Sequence, residues 1–383
     1  MAAAAPNAGY GKHIRAGRAR IRGNGTDSRM STRTRTYSPG GRRGERSVHR
    51  GGHQDAGAWF RLLDRDRRLL VLLSEHKVFT TDQIAALEFA SVRRAQDRLR
   101  KLREMGMLFA FRESLYGGGT SQTRHALGYA GARLIAAARA QTPPTPAKYA
   151  LELERLACSP MLGHRLGVNG FFAALAAHRN RARRRDPVVP DSVQGLTQWW
   201  SERQCAEMFW THASGEDQLH PDGYGCWEQH GRVVRFFLEY DTGTESLKTV
   251  TAKLADYQRF PTDKFWILLF SVHSARRETG LRAVLSRALG SSYSPGLVIA
   301  TTSRDLAHPD GPAGPVRGLW TADGGDAVPE RLRLADLPER GPRIAYHTST
   351  EQPCNEAAFD HDDPEIQNLL YPNQTRTTPP TAY

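Results

Sequence analysis

The sequence predicts an α+β chain built from two units: a small basic helical unit closed by a β-hairpin, then a larger α/β unit, with disordered tails at both ends. Three observations lead there. Between residues 59 and 140 apolar positions recur at helical spacing in successive segments, then switch to two short strand-like runs. After the Pro cluster Gln141–Pro146, helical and strand-like segments follow one another to about Tyr346. The net charge of +13 is also unevenly placed: residues 1–58 hold 12 Lys+Arg against 3 acids, residues 59–140 hold 15 against 8, and the remaining 243 hold 26 against 29. Basic charge thus gathers in the first 140 residues, where it attracts a polyanion in a salt-sensitive way.

The boundaries follow from composition. Residues 1–57 are rich in Gly, Arg, Ser and Thr and nearly free of large aliphatic side chains. Such a stretch buries too little surface to offset its chain entropy, so a disordered basic tail is expected. Residues 58–140 form the basic unit, 141–149 a Pro-rich linker, 150–346 the α/β unit and 347–383 a loose tail with Pro372, Pro379 and Pro380. The N-terminal arginines lack the apolar stretch of a secretory signal, and no apolar run approaches the roughly 18 residues of a membrane span. A cytoplasmic protein without a membrane partner is expected. The four cysteines form no C-x-x-C pair, which removes support for a zinc finger or a redox motif.

Within the basic unit, Leu62, Leu63 and Leu69 to Leu73 make a strongly apolar first helix ending near Lys77. Thr80 stands three before Gln83, the spacing of a capping box, and opens a short second helix with Ile84, Ala85, Leu87 and Phe89 inward. Ser91 caps a third helix whose Ala95, Leu99 and Leu102 face the core, while Arg93, Arg94, Arg98, Arg100, Lys101 and Arg103 occupy its other faces. Gly106 suits the left-handed position that ends it. Two strands, Leu108–Arg112 and about Arg124–Tyr129, flank a turn at Gly117–Gly119, and a helix over 131–138 follows. Three helices and a hairpin in that order describe a winged helix-turn-helix. Such a unit places its third helix in the major groove of double-stranded DNA, with hairpin cations on the backbone. The expected DNA contacts are Arg93, Arg94, Arg98, Lys101, Arg112 and Arg124. An Arg-rich helix can also be a merely solvated face, but here a capped short helix precedes it and a hairpin follows.

The α/β unit reads as helices over 151–157 and 166–178, strands over 197–205, from His220, and 233–240, a helix from Thr244 to about Phe260, a strand over 265–270, a helix over 281–289 and a strand over 296–300. Carboxylates fall at particular places in it. Asp222 opens one strand, and Glu239 and Asp241 end the next, two apart and hence on one face. Three such acids offer oxygen ligands to Mg²⁺ or Mn²⁺, which could activate water against a phosphodiester. Lys253, on the following helix, could neutralise developing charge, and Glu202 offers a further acid. The plain alternative is that Glu239 and Asp241 cap a strand end and satisfy turn amides at Thr242–Thr244. Trp199, Trp200, Trp210 and Trp227 read as core aromatics in preference to base-stacking groups, and His164 and His220 as ordinary histidines in preference to metal ligands.

Pro221-Asp222 followed one strand later by Glu239-Tyr-Asp241 resembles the PD-(D/E)XK nuclease motif, except that Asp241 stands where that motif has Lys. The resemblance implies a nuclease-like fold, a metal site at Asp222, Glu239 and Asp241, and a Lys borrowed from the next helix, which Lys253 can imitate. Lys253 and Tyr257 also sit where some recombination-type members carry Gln and Tyr. Over about residues 59–305 the layout further resembles the replication-relaxation family of plasmids and mobile elements, mainly actinobacterial. The stretches LLVLLSEHKVFTTDQIAAL, RRAQDRLRKLREMGML, HRLGVNGFFAAL, WWSERQC, HPDGYG, FFLEYDTGTE and KLADYQRF carry it. That resemblance implies a role in plasmid replication or DNA relaxation. Two readings stay open: a DNA-binding, non-catalytic regulator or accessory of replication or transfer, with replication or transfer proteins and a second copy of the chain as possible partners, or a metal-dependent endonuclease or nickase. The sequence has no His-x-His and no G-x-x-x-x-G-K-[ST], which argues against a two-histidine relaxase and against an ATPase.

Overall fold

The computed structural model describes residues 61–113, 120–185, 195–208, 219–259, 266–289, 297–321 and 330–338. The basic tail, the Gly117–Gly119 turn, Trp210 and the C-terminal tail lie outside them. Among the described residues the fold is mixed α+β, with a small three-stranded sheet and a larger seven-stranded one. No helix among them is long and apolar enough to cross a membrane.

The first unit begins with α1 (Asp64–His76), whose Leu69, Leu70 and Leu73 are buried. The two-residue strand β1 (Phe79–Thr80) leads directly into α2 (Thr81–Glu88). The expected capping box is present: Gln83 N donates to Thr80 Oγ1 at 3.2 Å, and Thr80 N donates to Gln83 Oε1 at 2.9 Å. Helix α3 (Val92–Glu104) buries Ala95, Leu99 and Leu102 as the spacing requires. It ends at Gly106, where φ is +71° and Met107 N reaches back to Leu102 O at 2.9 Å. Strands β2 (Leu108–Phe111) and β3 (Arg124–Leu127) pair antiparallel with Leu108 opposite Leu127, and β1 adds to the far side of β3. Helix α4 (Tyr129–Ala138) closes this core.

The Pro-rich segment turns helical before its expected end. Thr145 caps α5 (Pro146–Ala157), and Pro146 takes the first helical position, where its missing N–H costs nothing. Helix α6 (Leu162–Arg185) then runs along the larger sheet. That sheet consists of β4 (Gly195–Ser201), β5 (Gly223–Gln229), β6 (Arg232–Asp241), β7 (Trp266–Val272), β8 (Leu297–Ser303), β9 (Arg317–Trp320) and β10 (Arg331–Leu332), arranged in sequence order. The β6–β7 and β7–β8 pairs are parallel and the others antiparallel. One face packs against α7 (Glu202–Met208), α8 (Leu247–Ala252), α9 (Leu254–Arg259) and α10 (Ala275–Leu289), the other against α6 and two short 3₁₀ turns.

Three further details differ from the sequence reading. The strand expected to reach Cys205 stops at Ser201, where Ser201 N donates to Gln204 Oε1 (2.9 Å) and Gln204 N to Ser201 Oγ (3.4 Å), starting α7. The helix expected over 244–260 is broken at Lys253. Strands β9 and β10 extend the sheet beyond β8.

The two units are joined by more than the chain. Helix α6 lies across α2, and Gln83 Nε2 donates to Leu166 O at 2.9 Å. The buried Asn169 amide donates to two carbonyls of the other unit, His76 O at 3.0 Å and Val78 O at 2.7 Å. Trp199 of β4 stacks on His76 (centroids 3.9 Å apart, planes 21° apart) on one side and on Phe172 (5.3 Å, 18°) on the other, so it packs against both cores. Asn169→Ala leaves both carbonyls without that donor, and a loss of about 2–3 kcal/mol in urea unfolding is expected. A change below about 0.5 kcal/mol, the range of an ordinary surface substitution, would show that the amide does not hold the interface.

Candidate nucleic-acid interface and acidic cluster

Helix α3 divides cleanly by burial. Its inner stripe is Ala95, Leu99 and Leu102, while Arg93, Arg94, Arg100, Lys101 and Arg103 are exposed. A helix packed by one apolar stripe turns its remaining faces to solvent, and here those faces are strongly cationic. Ser91 holds the start through Arg94 N to Ser91 Oγ at 3.4 Å. Of the six cations named from the sequence, Arg93, Arg94 and Lys101 lie on this outer surface.

Arg98 is turned inward instead. Its Nε donates to both oxygens of Asp66 at 3.0 and 3.1 Å, Nη2 also meets Asp66, and the Asp66 side chain is fully buried. The reason is positional: residue 98 is three after Ala95 and four before Leu102, at the margin of the buried stripe. Arg112 and Arg124 stand on the hairpin. Arg112 Nε donates to Thr123 Oγ1 at 2.6 Å, and Arg124 Nη2 pairs with Glu113 Oε2 at 2.9 Å.

The acidic residues gather where β6 ends. Alternation along β6 puts Glu239 and Asp241 on the sheet face covered by α8, α9 and α10, as expected, and both are buried. Their partners then diverge. Glu239 Oε2 accepts from Lys253 Nζ at 2.9 Å, and Oε1 accepts from the Tyr257 hydroxyl at 2.6 Å. Asp241 is clasped by Arg277 of α10, Nε to Oδ2 at 2.7 Å and Nη2 to Oδ1 at 3.1 Å, and it accepts from Gly243 N at 2.8 Å. Asp222, just before β5, accepts from Tyr240 N at 2.7 Å and meets His164 Nε2 at 3.2 Å. Helix α6 brings His164 there because Gly167 lets it approach the Tyr240 ring: a Cβ at Gly167 would lie 2.3 Å from that ring.

These contacts set the protonation pattern. Burial, reinforced by the neighbouring charge of Asp222, pushes the Glu239 carboxyl up to about 7 against the opposing pull of Lys253 and Tyr257. Burial would depress His164, but the hydrogen bond and charge of Asp222 hold it above its ordinary value. Burial would likewise raise Asp241, yet the hydrogen bonds from Arg277 and Gly243 keep it below the usual carboxylate range. Because an unfolded Glu ionises near 4.5, the folded chain holds the extra proton between 4.5 and about 7, and stability falls as pH rises through that window. The expected decline attributable to Glu239 is about 3 kcal/mol. Glu239→Gln should flatten the curve of stability against pH over that range, and an unchanged curve would mean that Glu239 ionises normally.

The remaining sequence candidates lie apart from these contacts. Glu202 is exposed at the start of α7, and His220 is exposed. Trp200 and Trp227 are buried in the sheet cores, as expected. The sequence reading missed Arg277, which no local spacing connects to Asp241. It also missed Arg304, whose guanidinium lies 4.2 Å above the Tyr240 ring and donates to Asp241 O at 2.8 Å.

A basic helical unit packed against an α/β sheet thus defines the class of protein. More particularly, the chain belongs to the replication-relaxation family, whose family model matches residues 70–266, from within α1 to the start of β7. The family resemblance drawn from the sequence is therefore borne out, and membership suggests a role in plasmid replication or relaxation. No curated protein and no solved structure matches the chain.

Proposed function

We propose that this protein binds double-stranded DNA through a winged helix-turn-helix formed by α1–α4 and β1–β3, and serves as a non-catalytic accessory or regulator of plasmid replication or transfer. The observation that carries the reading is the outward cationic surface of α3 beside a short capped α2 and a hairpin with Arg112 and Arg124 at its turn end. Phosphate contacts by such cations fix a protein on the duplex, and base-edge contacts from the same helix select sequence. The test is equilibrium binding of the full chain to duplexes from its own replicon against scrambled duplexes over a series of salt concentrations. A preference for replicon DNA that persists as salt rises supports a specific interface. Equal affinity for all duplexes at every salt concentration would reduce the protein to a nonspecific polycation and overturn the proposal.

A nuclease reading has one observation in its favour, the convergence of Asp222, Glu239 and Lys253 at one end of β6. The donor set as placed does not fit a divalent cation. Among the described residues no three of His, Cys, Asp and Glu come close enough together to hold one, because Asp241 is committed to Arg277 and Glu239 to Lys253 and Tyr257. A hard cation needs several oxygens free to converge. Mn²⁺ calorimetry on the full chain should show no saturable heat that Glu239→Ala plus Asp241→Ala abolishes. Such a heat would restore the nuclease reading.

A further inference from the structure

Between the helical unit and the sheet lies a cleft of about 910 Å³, walled by the end of α1, by α4 and α5, by the start of α6 and by β4. Its charged centre is lopsided. Glu75 accepts from Arg139 Nη2 at 2.6 Å and from Arg203 Nη2 at 2.7 Å, one Arg from each unit. Lys77, the first residue past α1, has φ +71° and donates through Nζ to Ser74 O at 2.6 Å. Arg165 of α6 lines the same cleft. Three cations, Lys77, Arg139 and Arg203, thus surround Glu75, and the charge of Arg165 reaches Lys77 beside them. Burial first, and then the charges of Arg203, Arg139 and Arg165, hold the Lys77 ammonium below its ordinary value, with Glu75 opposing. A second anion at this point would relieve that repulsion. The lining includes three further acids, Glu152, Glu202 and Asp222, of which Asp222 is engaged by His164.

We propose that this cleft binds a phosphate-bearing small ligand, a nucleotide in chemical class, with its phosphates at Lys77, Arg139, Arg165 and Arg203. The lining also includes Leu153, Leu156 and the 54% exposed Met161, an apolar surface for a base. The volume lies within the range of small-molecule pockets, about 300–1,000 Å³, which suits a nucleotide or a strand end and is too small for a duplex. Arg forks and a Lys point charge are the usual phosphate partners. The site uses none of the α3 cations and stands independently of the DNA-binding proposal. A ligand here would touch the end of α1 and both units at once.

The experiment is titration calorimetry on the full chain with pyrophosphate, ATP and a short single-stranded oligonucleotide bearing a 5′-phosphate. Saturable binding is expected, weakened about tenfold in Arg165→Ala and again in Lys77→Gly, since each removes one charge-assisted contact. Gly accepts the positive φ at position 77, so that variant keeps the local backbone, and unchanged unfolding midpoints of both variants verify it. ATP binding tighter than the oligonucleotide identifies a free nucleotide as the source of the phosphate, and the reverse order identifies a strand end. Replacing Arg93, Arg94 and Lys101 by Ala should leave the affinities for pyrophosphate and ATP intact. Absence of saturable heat with all three probes, or equal affinities in wild type and both variants, would overturn the proposal.

Discussion

Alanine at Arg93, Arg94 and Lys101 together is expected to weaken duplex binding on the order of 10²-fold or more, at about 1–3 kcal/mol for each base-edge or charge-assisted interaction removed. The dependence of log K on log salt should become shallower by about 2–3, because each neutralised phosphate contributes about 0.9 to that slope. All three side chains are exposed, so stability should change by no more than about 0.5 kcal/mol. The N-terminal basic segment is identical in wild type and variant, and its contribution cancels in the comparison. Unchanged affinity and an unchanged salt slope would move DNA binding away from α3 and end the winged-helix reading.

The second large effect concerns stability. Asp66 is fully buried in the first turn of α1, accepting from Leu63 N at 2.7 Å and paired in a fork with Arg98 of α3. Removing one partner leaves the other buried and uncompensated, so Arg98→Ala is expected to cost about 3–5 kcal/mol, measured by urea unfolding. Replacing both by apolar residues, Asp66→Leu with Arg98→Met, should recover much of that loss, since the desolvation of both charges is removed together. A double variant no more stable than Arg98→Ala would show that packing, not the unpaired charge, sets the cost. The pair also bears on function: Arg98→Ala would weaken DNA binding by loosening α3 against α1, and only a stability measurement separates that from the removal of a direct phosphate partner.

Much of the first unit was legible because its signals are local. The Thr80–Gln83 box, the 95–99–102 stripe and Gly106 each act within a turn or two of chain, and each appears where the spacing puts it. The inward turn of Arg98 was missed: its place at the edge of that stripe was read as part of the outward face, and the residue was expected on DNA instead of on Asp66. Ser201–Gln204 carried the same capping signal as Thr80–Gln83, but the flanking Trp199 and Trp200 masked it with a strand-like composition. The acidic cluster was only half legible. Strand alternation put Glu239 and Asp241 on one face, but what each meets there depends on α8–α10, whose arrival is decided by the parallel β6–β7–β8 topology. Arg277 is 36 residues from Asp241, and no periodicity spans that distance. Strands β9 and β10 escaped notice because they are four and two residues long, with Arg317 and Arg331 interrupting any alternation.

The ring stack at Trp199 has a practical and a mechanical consequence. Severing the chain at the prolines, where composition invites a cut between domains, would strip His76 from one side of the indole and Asn169 from the carbonyls of residues 76 and 78. Each half would then present a raw apolar face and lose solubility. In the whole protein the same contacts act as a splint. If α3 holds a duplex as proposed, these contacts set its bearing to the sheet, and force applied at one reaches the other through Trp199 and Asn169.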